Sequence, residues 1–236
     1  MVDSGVHVAA SLAGPDLAVE WLGRVAYTQA LDMQRRMHAE RVADQRPDTL
    51  LLLEHPHVFT LGRRSDPANI VVSEDFLRAQ GATVEHNERG GEVTYHGPGQ
   101  LVGYPIITLG LEERSLTNLV TRVEESILRT LAEFAIGGRR EPTERGVWVG
   151  ERKIASIGMA VRRWTTLHGM ALNVDPDLRY FTYINPCGHP HLAMTSMALE
   201  LGHAVDTSVV AAVFARHFAT AFGRHAAATV QEHHGW

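Results

Sequence analysis

The sequence predicts an α/β fold, α+β in element order, in which a mixed and mostly antiparallel β-sheet is flanked by helices. Short apolar runs of strand length, bounded by Gly and Pro, recur at residues 49–54, 101–109, 154–161 and 166–174. Segments with helical spacing of apolar residues lie among and after them, at 27–46, 117–135 and 208–222. Neither an internal repeat nor a linker interrupts the 236 residues, of which 44% are hydrophobic. Residues 1–236 are therefore expected to form a single domain.

Residues 1–15 are small, Gly-containing and aperiodic, and read as a loose leader. From Tyr27 onward, Leu31, Gln34, Met37, His38 and Arg41 follow helical spacing, with an Arg-rich outer face, until Pro47-Asp48 ends the helix. Thr49-Leu50-Leu51-Leu52-Leu53-Glu54 suits a strand buried on both faces. Residues 55–64, with His55, His57 and Arg63-Arg64, read as a loop or second short strand. Ser73 caps a short helix reaching residue 80, and Thr83-Val84-Glu85 makes another short strand.

Residues 89–100 are the most Gly-rich stretch, with five of twelve being Gly or Pro. Val93-Thr94-Tyr95 within it has β propensity, so a strand is expected between two sharp loops, followed by the apolar strand 101–109. Ser115 or Thr117 caps a helix whose stripe is Leu119, Val120, Val123, Ile127, Leu131 and Phe134, ended by Gly137-Gly138. Val147-Trp148-Val149 and residues 154–161 form a hairpin about Gly150-Glu151-Arg152, with Lys153 at its inner end. The strand 166–174 closes at Asp175-Pro176-Asp177. A last helix starts at Asp206 or Thr207, turns Val209, Val213, Phe214, His217 and Phe218 inward, and ends at Gly223. Residues 224–236 read as a mobile tail.

The formal charge of −5 argues against general nucleic-acid binding, while a locally basic mouth for an acidic partner stays open. No apolar run approaches the roughly 20 residues of a membrane span, and the N-terminus lacks a signal peptide's basic-then-apolar order. A soluble, cytoplasmic protein is expected. One cysteine rules out an internal disulfide and fits a reducing compartment.

That cysteine, Cys187, lies in the loop Asn185-Pro186-Cys187-Gly188-His189. The chain also holds one lysine, Lys153, against 21 arginines. Arg stays protonated, whereas burial drives a Lys amine towards its neutral, basic form. A lone thiol and a lone deprotonatable amine suggest a nucleophile and its base. With a thiol near about 8.5 and an amine near about 10.4, a close pair shares one proton around neutrality. Gly188 lets the backbone after the sulfur offer an N–H to an oxyanion. Read locally, Cys187 is equally a small buried hydrophobe.

His55-Pro-His57 and Cys187-Gly-His189-Pro-His191 have metal-ligand spacing, but no second cysteine completes a site, so no metal is expected. His96, ending the Gly-bracketed strand, is the better functional histidine. Neither phosphate-binding glycine pattern is present. Arg63-Arg64, Arg139-Arg140 and Arg162-Arg163 are solvated faces or contacts for an acidic protein.

In chain order these segments resemble the lipoyl(octanoyl) transferase family. The resemblance rests on Arg89-Gly-Gly-Glu-Val-Thr-Tyr-His96-Gly-Pro-Gly-Gln100 and Leu53-Glu-His-Pro-His-Val-Phe-Thr-Leu-Gly62-Arg63. It rests also on Arg152-Lys153-Ile-Ala-Ser156-Ile-Gly158, Thr166-Leu-His168-Gly169-Met-Ala171-Leu-Asn173 and Asn185-Pro-Cys187-Gly188. It implies a fold like biotin and lipoate protein ligases and transfer of octanoyl from acyl carrier protein to a lysine of lipoyl domains. Those domains belong to 2-oxoacid dehydrogenase complexes and the glycine cleavage H protein. It further implies that Cys187 carries the acyl-thioester and Lys153 is the base. The acyl-binding segments it implies are Arg89, Gly90, Gly91, Glu92, Val93, Thr94, Tyr95 and His96, then Ser156, Ile157 and Gly158, then Gly169, Met170 and Ala171. No cofactor, no nucleic acid, no membrane and a monomer are expected. Ser156 stands where the family commonly has Ala, and Met170 where it commonly has an aromatic. The rival readings are an ATP-dependent lipoate ligase, an acyl thioesterase and a non-catalytic acyl-binding module.

Overall fold

In the computed structural model, residues 15–63, 65–186 and 192–228 are described. The expected leader (Pro15 excepted), Arg64, Cys187, His189, His191 and residues 229–236 lie outside the described residues. In chain order the described strands are β1 (Asp16–Arg24), β2 (Asp48–Glu54), β3 (Val58–Leu61), β4 (Thr83–His86), β5 (Thr94–His96), β6 (Gln100–Ile106), β7 (Val147–Val149), β8 (Arg152–Arg162), β9 (Thr165–Asn173) and β10 (His225–Ala228). The helices are α1 (Tyr27–Val42), α2 (Glu74–Ala79), α3 (Leu116–Glu133), α4 (Met197–Leu201) and α5 (Thr207–Ala221).

Seven strands form a mixed sheet in the order β10-β1-β2-β6-β9-β8-β7, and β4-β3-β5 form a smaller one. The β10–β1 and β1–β2 pairs are parallel, and every other pair of the large sheet is antiparallel. The run of leucines in β2 follows from burial on both faces. Leu50 and Leu52 face a core built with Leu119, Val123 and Ile127 of α3 and Phe214 and Phe218 of α5. Leu51 and Leu53, one residue out of phase, meet Ala30 and Met37 of α1 on the other face. This is the expected mixed sheet flanked by helices.

Several details differ from the sequence reading. α1 ends at Val42, and Asp44 turns the chain with φ 57° before Pro47 is reached. In α5 the buried stripe is Val210, Ala211, Phe214, Ala215 and Phe218, while Val209 is 52% exposed. Cap residues fall as expected: the Ser73 and Ser115 hydroxyls accept from Phe76 N and Asn118 N, and Asp206 accepts from Ser208 N. β1 is an added strand, and His225–Ala228, expected in a mobile tail, pairs with it in parallel register and forms the edge of the sheet. Ladder hydrogen bonds use the backbone alone, so an Ala-rich segment joins an open edge without a hydrophobic pattern.

Between β8 and β9, Arg162 pairs with Thr165, leaving Arg163 and Trp164 as a two-residue turn. Both have positive φ, 51° and 58°, in the left-handed region that Asn-Gly ordinarily fills in such hairpins.

Candidate active site

Lys153 stands second in β8, opposite Trp148 of β7. Its side chain is 2% exposed, with Nζ 3.6 Å from Glu144 Oε2 and 4.8 Å from the Trp148 ring centroid. An aromatic face and a carboxylate thus hold the amine at the inner end of the strand. The Lys153 backbone holds a second segment: its N–H donates to Ala193 O (2.9 Å) and its carbonyl accepts from Thr195 N (3.0 Å). Residues 193–195 are the chain just beyond the cysteine segment. On the near side, Asn185 N donates to Asn69 O at 2.7 Å and Ile184 bridges Ile70. Both flanks of residues 187–191 are therefore tied to the fold by backbone hydrogen bonds.

A cavity of about 970 Å³ extends along β8 from Lys153. Arg89, Gly90, Gly91, Glu92, Val93, Thr94 and His96 line it on one side. Ser156, Ile157 and Gly158 of β8, and Gly169, Met170 and Ala171 of β9, line it on another, with Pro186 and Met194 from the two flanks of the cysteine segment. Tyr95 does not line it. Alternation along β5 turns that ring the other way, where it stacks on Tyr180 at 5.0 Å and its hydroxyl bonds His57 Nδ1 at 2.8 Å.

The glycine wall exists because backbone meets backbone. A Cβ on Gly158 would stand 2.9 Å from Gly90 O, and one on Gly62 would stand 2.3 Å from Gly91 O. Only glycines on both sides let residues 90–91 lie between two strands. Arg89 staples this wall to β3, because its buried guanidinium donates to Thr60 Oγ1 at 2.9 Å and to Gly90 O at 3.1 Å.

His96 has a definable tautomer. The Tyr95 and Thr195 carbonyls can only accept, so Gln100 and Asn173 must point their NH₂ groups at them (3.3 and 2.9 Å). Asn173 Oδ1 then accepts from Gln100 Nε2 at 2.9 Å, leaving Gln100 Oε1 to accept from His96 Nδ1–H at 2.7 Å. The His96 Nε2 therefore carries the lone pair. Burial, reinforced by neighbouring His55, pushes His96 down to about 3, so the ring is neutral and acts as an acceptor.

His55 donates from Nδ1 to Val25 O (2.7 Å) and accepts from the Tyr104 hydroxyl (2.8 Å); burial lowers it to about 4. With both nitrogens engaged, it is a strut between elements.

Two residues that sequence reasoning did not single out belong to the site. Glu144 lines the cavity beside Lys153. His168 lines it from β9 with φ 58°, opposite Met159 of β8, while its Nε2 is buried without a hydrogen-bond partner among the described residues. Burial pushes His168 down to about 4. A β-strand residue in the left-handed region beside a ligand-sized cavity is a functional signal that only backbone angles reveal.

The chain matches the profile of the lipoyl protein ligase A/B catalytic domain family over residues 26–219. It is 48% identical over 201 residues to the octanoyltransferase of Solibacter usitatus, covering 85% of this chain and 90% of that one. Its fold is similar to a bipartite lipoate protein ligase from Thermoplasma acidophilum (TM-score 0.73, 15% identity, 92% and 88% of the two chains). It is similar also to a biotin protein ligase from Aquifex aeolicus (TM-score 0.51, 13% identity, 87% and 68%).

Proposed function

The chain belongs to the lipoyl protein ligase A/B catalytic domain family, among its octanoyltransferases, and from that membership we propose that Cys187 and Lys153 carry octanoyl transfer through a cysteine thioester. The protein is an acyltransferase of protein lipoylation. The donor in this reading is octanoyl-acyl carrier protein. The acceptor is a lysine of lipoyl domains in 2-oxoacid dehydrogenase complexes and in the glycine cleavage H protein.

In the first half-reaction Lys153 Nζ takes the Cys187 thiol proton and Sγ attacks the thioester carbonyl. The carbon–sulfur bond to pantetheine breaks, and Lys153 returns the proton to the departing thiolate. Backbone N–H groups of the cysteine loop stabilise the oxyanion. In the second, the acceptor amine attacks the enzyme thioester. Lys153 takes the amine's proton and passes it to the Cys187 sulfur as the amide forms. Exchanging one thioester for another is near thermoneutral and amide formation is downhill, so no nucleotide is required. The neutral His96 offers an acceptor lone pair to an N–H of the bound substrate. The apolar side chains of Val93, Ile157 and Met170 pack the acyl chain. At about 0.8 kcal/mol per buried methylene, octanoyl is favoured over hexanoyl by about ten-fold.

One observation carries this reading: Pro186 and Met194, on the two flanks of the Cys187 segment, border the cavity that Lys153 lines. Intact-mass analysis after mixing with octanoyl-carrier protein tests it. One octanoyl group should be gained and then lost on adding a lipoyl domain, and Cys187→Ser should gain none. Transfer that requires ATP and free octanoate, or release of free acid without an acceptor, would reject it.

A further inference from the structure

We propose that the tip of the β8–β9 hairpin, Arg162-Arg163-Trp164 with Arg114 and Leu116 beside it, is the docking face for an acidic carrier protein that delivers the acyl group on a pantetheine arm. This rests on the donor assigned above and says where its protein body sits.

Three observations converge on the tip. The turn residues Arg163 and Trp164 both hold positive φ, a conformation that favours Asn-Gly. Large side chains kept at such positions against the backbone preference point to a use for them. Those side chains meet solvent at the cavity's rim: Trp164 is 42% exposed, the Arg114 guanidinium lies 4.9 Å from its ring centroid, and Leu116 is 61% exposed. An aromatic anchor among arginines is the composition of an interface centre.

Charge separates this face from the Arg139-Arg140 pair. Arg139 and Arg140 are spent within the chain on Glu141, Glu124 and Glu125. Arg163 makes no ion pair among the described residues, and Arg162 reaches Glu88 only at 3.8 Å. A chain of net charge −5 thus presents exposed arginines at the mouth of its active site.

Distance favours the donor over the acceptor. Lys153 and Arg162 stand near opposite ends of β8, about 30 Å apart along the strand. A thioester at the end of a flexible pantetheine arm extends well beyond its own domain, so a carrier body that touches the tip and lies along β8 can present the carbonyl towards Lys153. A lysine, on four methylenes, must bring its own domain close to the chemistry.

Two variants test the proposal, with steady-state KM measured for octanoyl-carrier protein, octanoyl-pantetheine and lipoyl domain. Arg162→Glu with Arg163→Glu should raise the carrier KM about ten-fold or more and flatten its dependence on salt. Arg163→Asn with Trp164→Gly gives the turn its preferred residues. It should raise the carrier KM several-fold with a thermal midpoint at or above wild type, which separates docking from folding. kcat/KM for octanoyl-pantetheine should stay unchanged in both. A wild-type carrier KM in both variants overturns the proposal, and so does a rise confined to the lipoyl domain. Wild-type transfer from octanoyl-pantetheine but not from carrier protein would instead remove the donor assignment, and the docking face with it.

Discussion

Lys153→Arg keeps a cation at the inner end of β8 but removes the form able to take a proton, since a guanidinium stays charged. If Lys153 is the base, single-turnover octanoyl transfer should fall by about 10²–10⁴-fold with the circular dichroism spectrum retained. Near-wild-type turnover would assign the proton to another group. Gly158 offers a test of the cavity wall. A methyl there meets the Gly90 carbonyl at 2.9 Å, and that atom is backbone and cannot rotate away. Gly158→Ala should lower stability by about 1–3 kcal/mol and weaken transfer. Gly137→Ala, with nothing within 4 Å, should stay within about 0.5 kcal/mol of wild type in urea unfolding. Cys187 and Lys153 drew attention in the sequence by being alone of their kind. Glu144 and His168 did not, because their settings come from contacts between distant positions: the His168 N–H donates to Gln34 Oε1 across 134 residues.

Among the elements, α5 distinguishes a periodic pattern from its phase. The helical spacing was legible, yet it placed Val209 inward, and packing against α3 and β1 chose the stripe through Val210, Phe214 and Phe218 instead. Phe214→Ala should therefore cost about 3–5 kcal/mol, and Val209→Ala less than about 0.5 kcal/mol, in chemical denaturation. Equal losses at the two positions would contradict the observed phase. The central strands β2, β6 and β9 were readable because burial on both faces leaves continuous apolar runs. The edge pair β1 and β10 was not. β1 is only partly buried along most of its length, and the ladder between the two uses backbone groups that any sequence supplies.

For the molecule as a whole, the buried histidines set an acid limit on stability. His55, His96 and His168 are all held below the ordinary value of 6.5 by burial, to about 4, about 3 and about 4. Below pH 6.5 the unfolded chain binds protons at these sites that the folded chain refuses, so stability falls as pH drops from 6.5 towards 4. At pH 5 each contributes a loss of about 2 kcal/mol, together a large part of a typical stability of about 5–15 kcal/mol. Urea midpoints should drop steeply between pH 7 and pH 5, and less so in His55→Asn. A midpoint indifferent to pH over that interval would mean that these rings are solvated.

The sequence by itself determined the sheet's central strands, the flanking helices with their caps, the family and the candidate dyad. Those properties are written in local patterning and in residue types whose rarity or chemistry marks them. Only the tertiary structure decided that Gly62, Gly90 and Gly158 make one wall, that Tyr95 leaves the cavity while His168 joins it, and that the His96 proton sits on Nδ1. It also decided that Arg162-Arg163 stands exposed at the mouth, while Arg139-Arg140 is neutralised by Glu141, Glu124 and Glu125. The physical reason is the same in each case. Close approach, hydrogen-bond direction and charge neutralisation belong to pairs of groups far apart in the chain, and folding brings those pairs together.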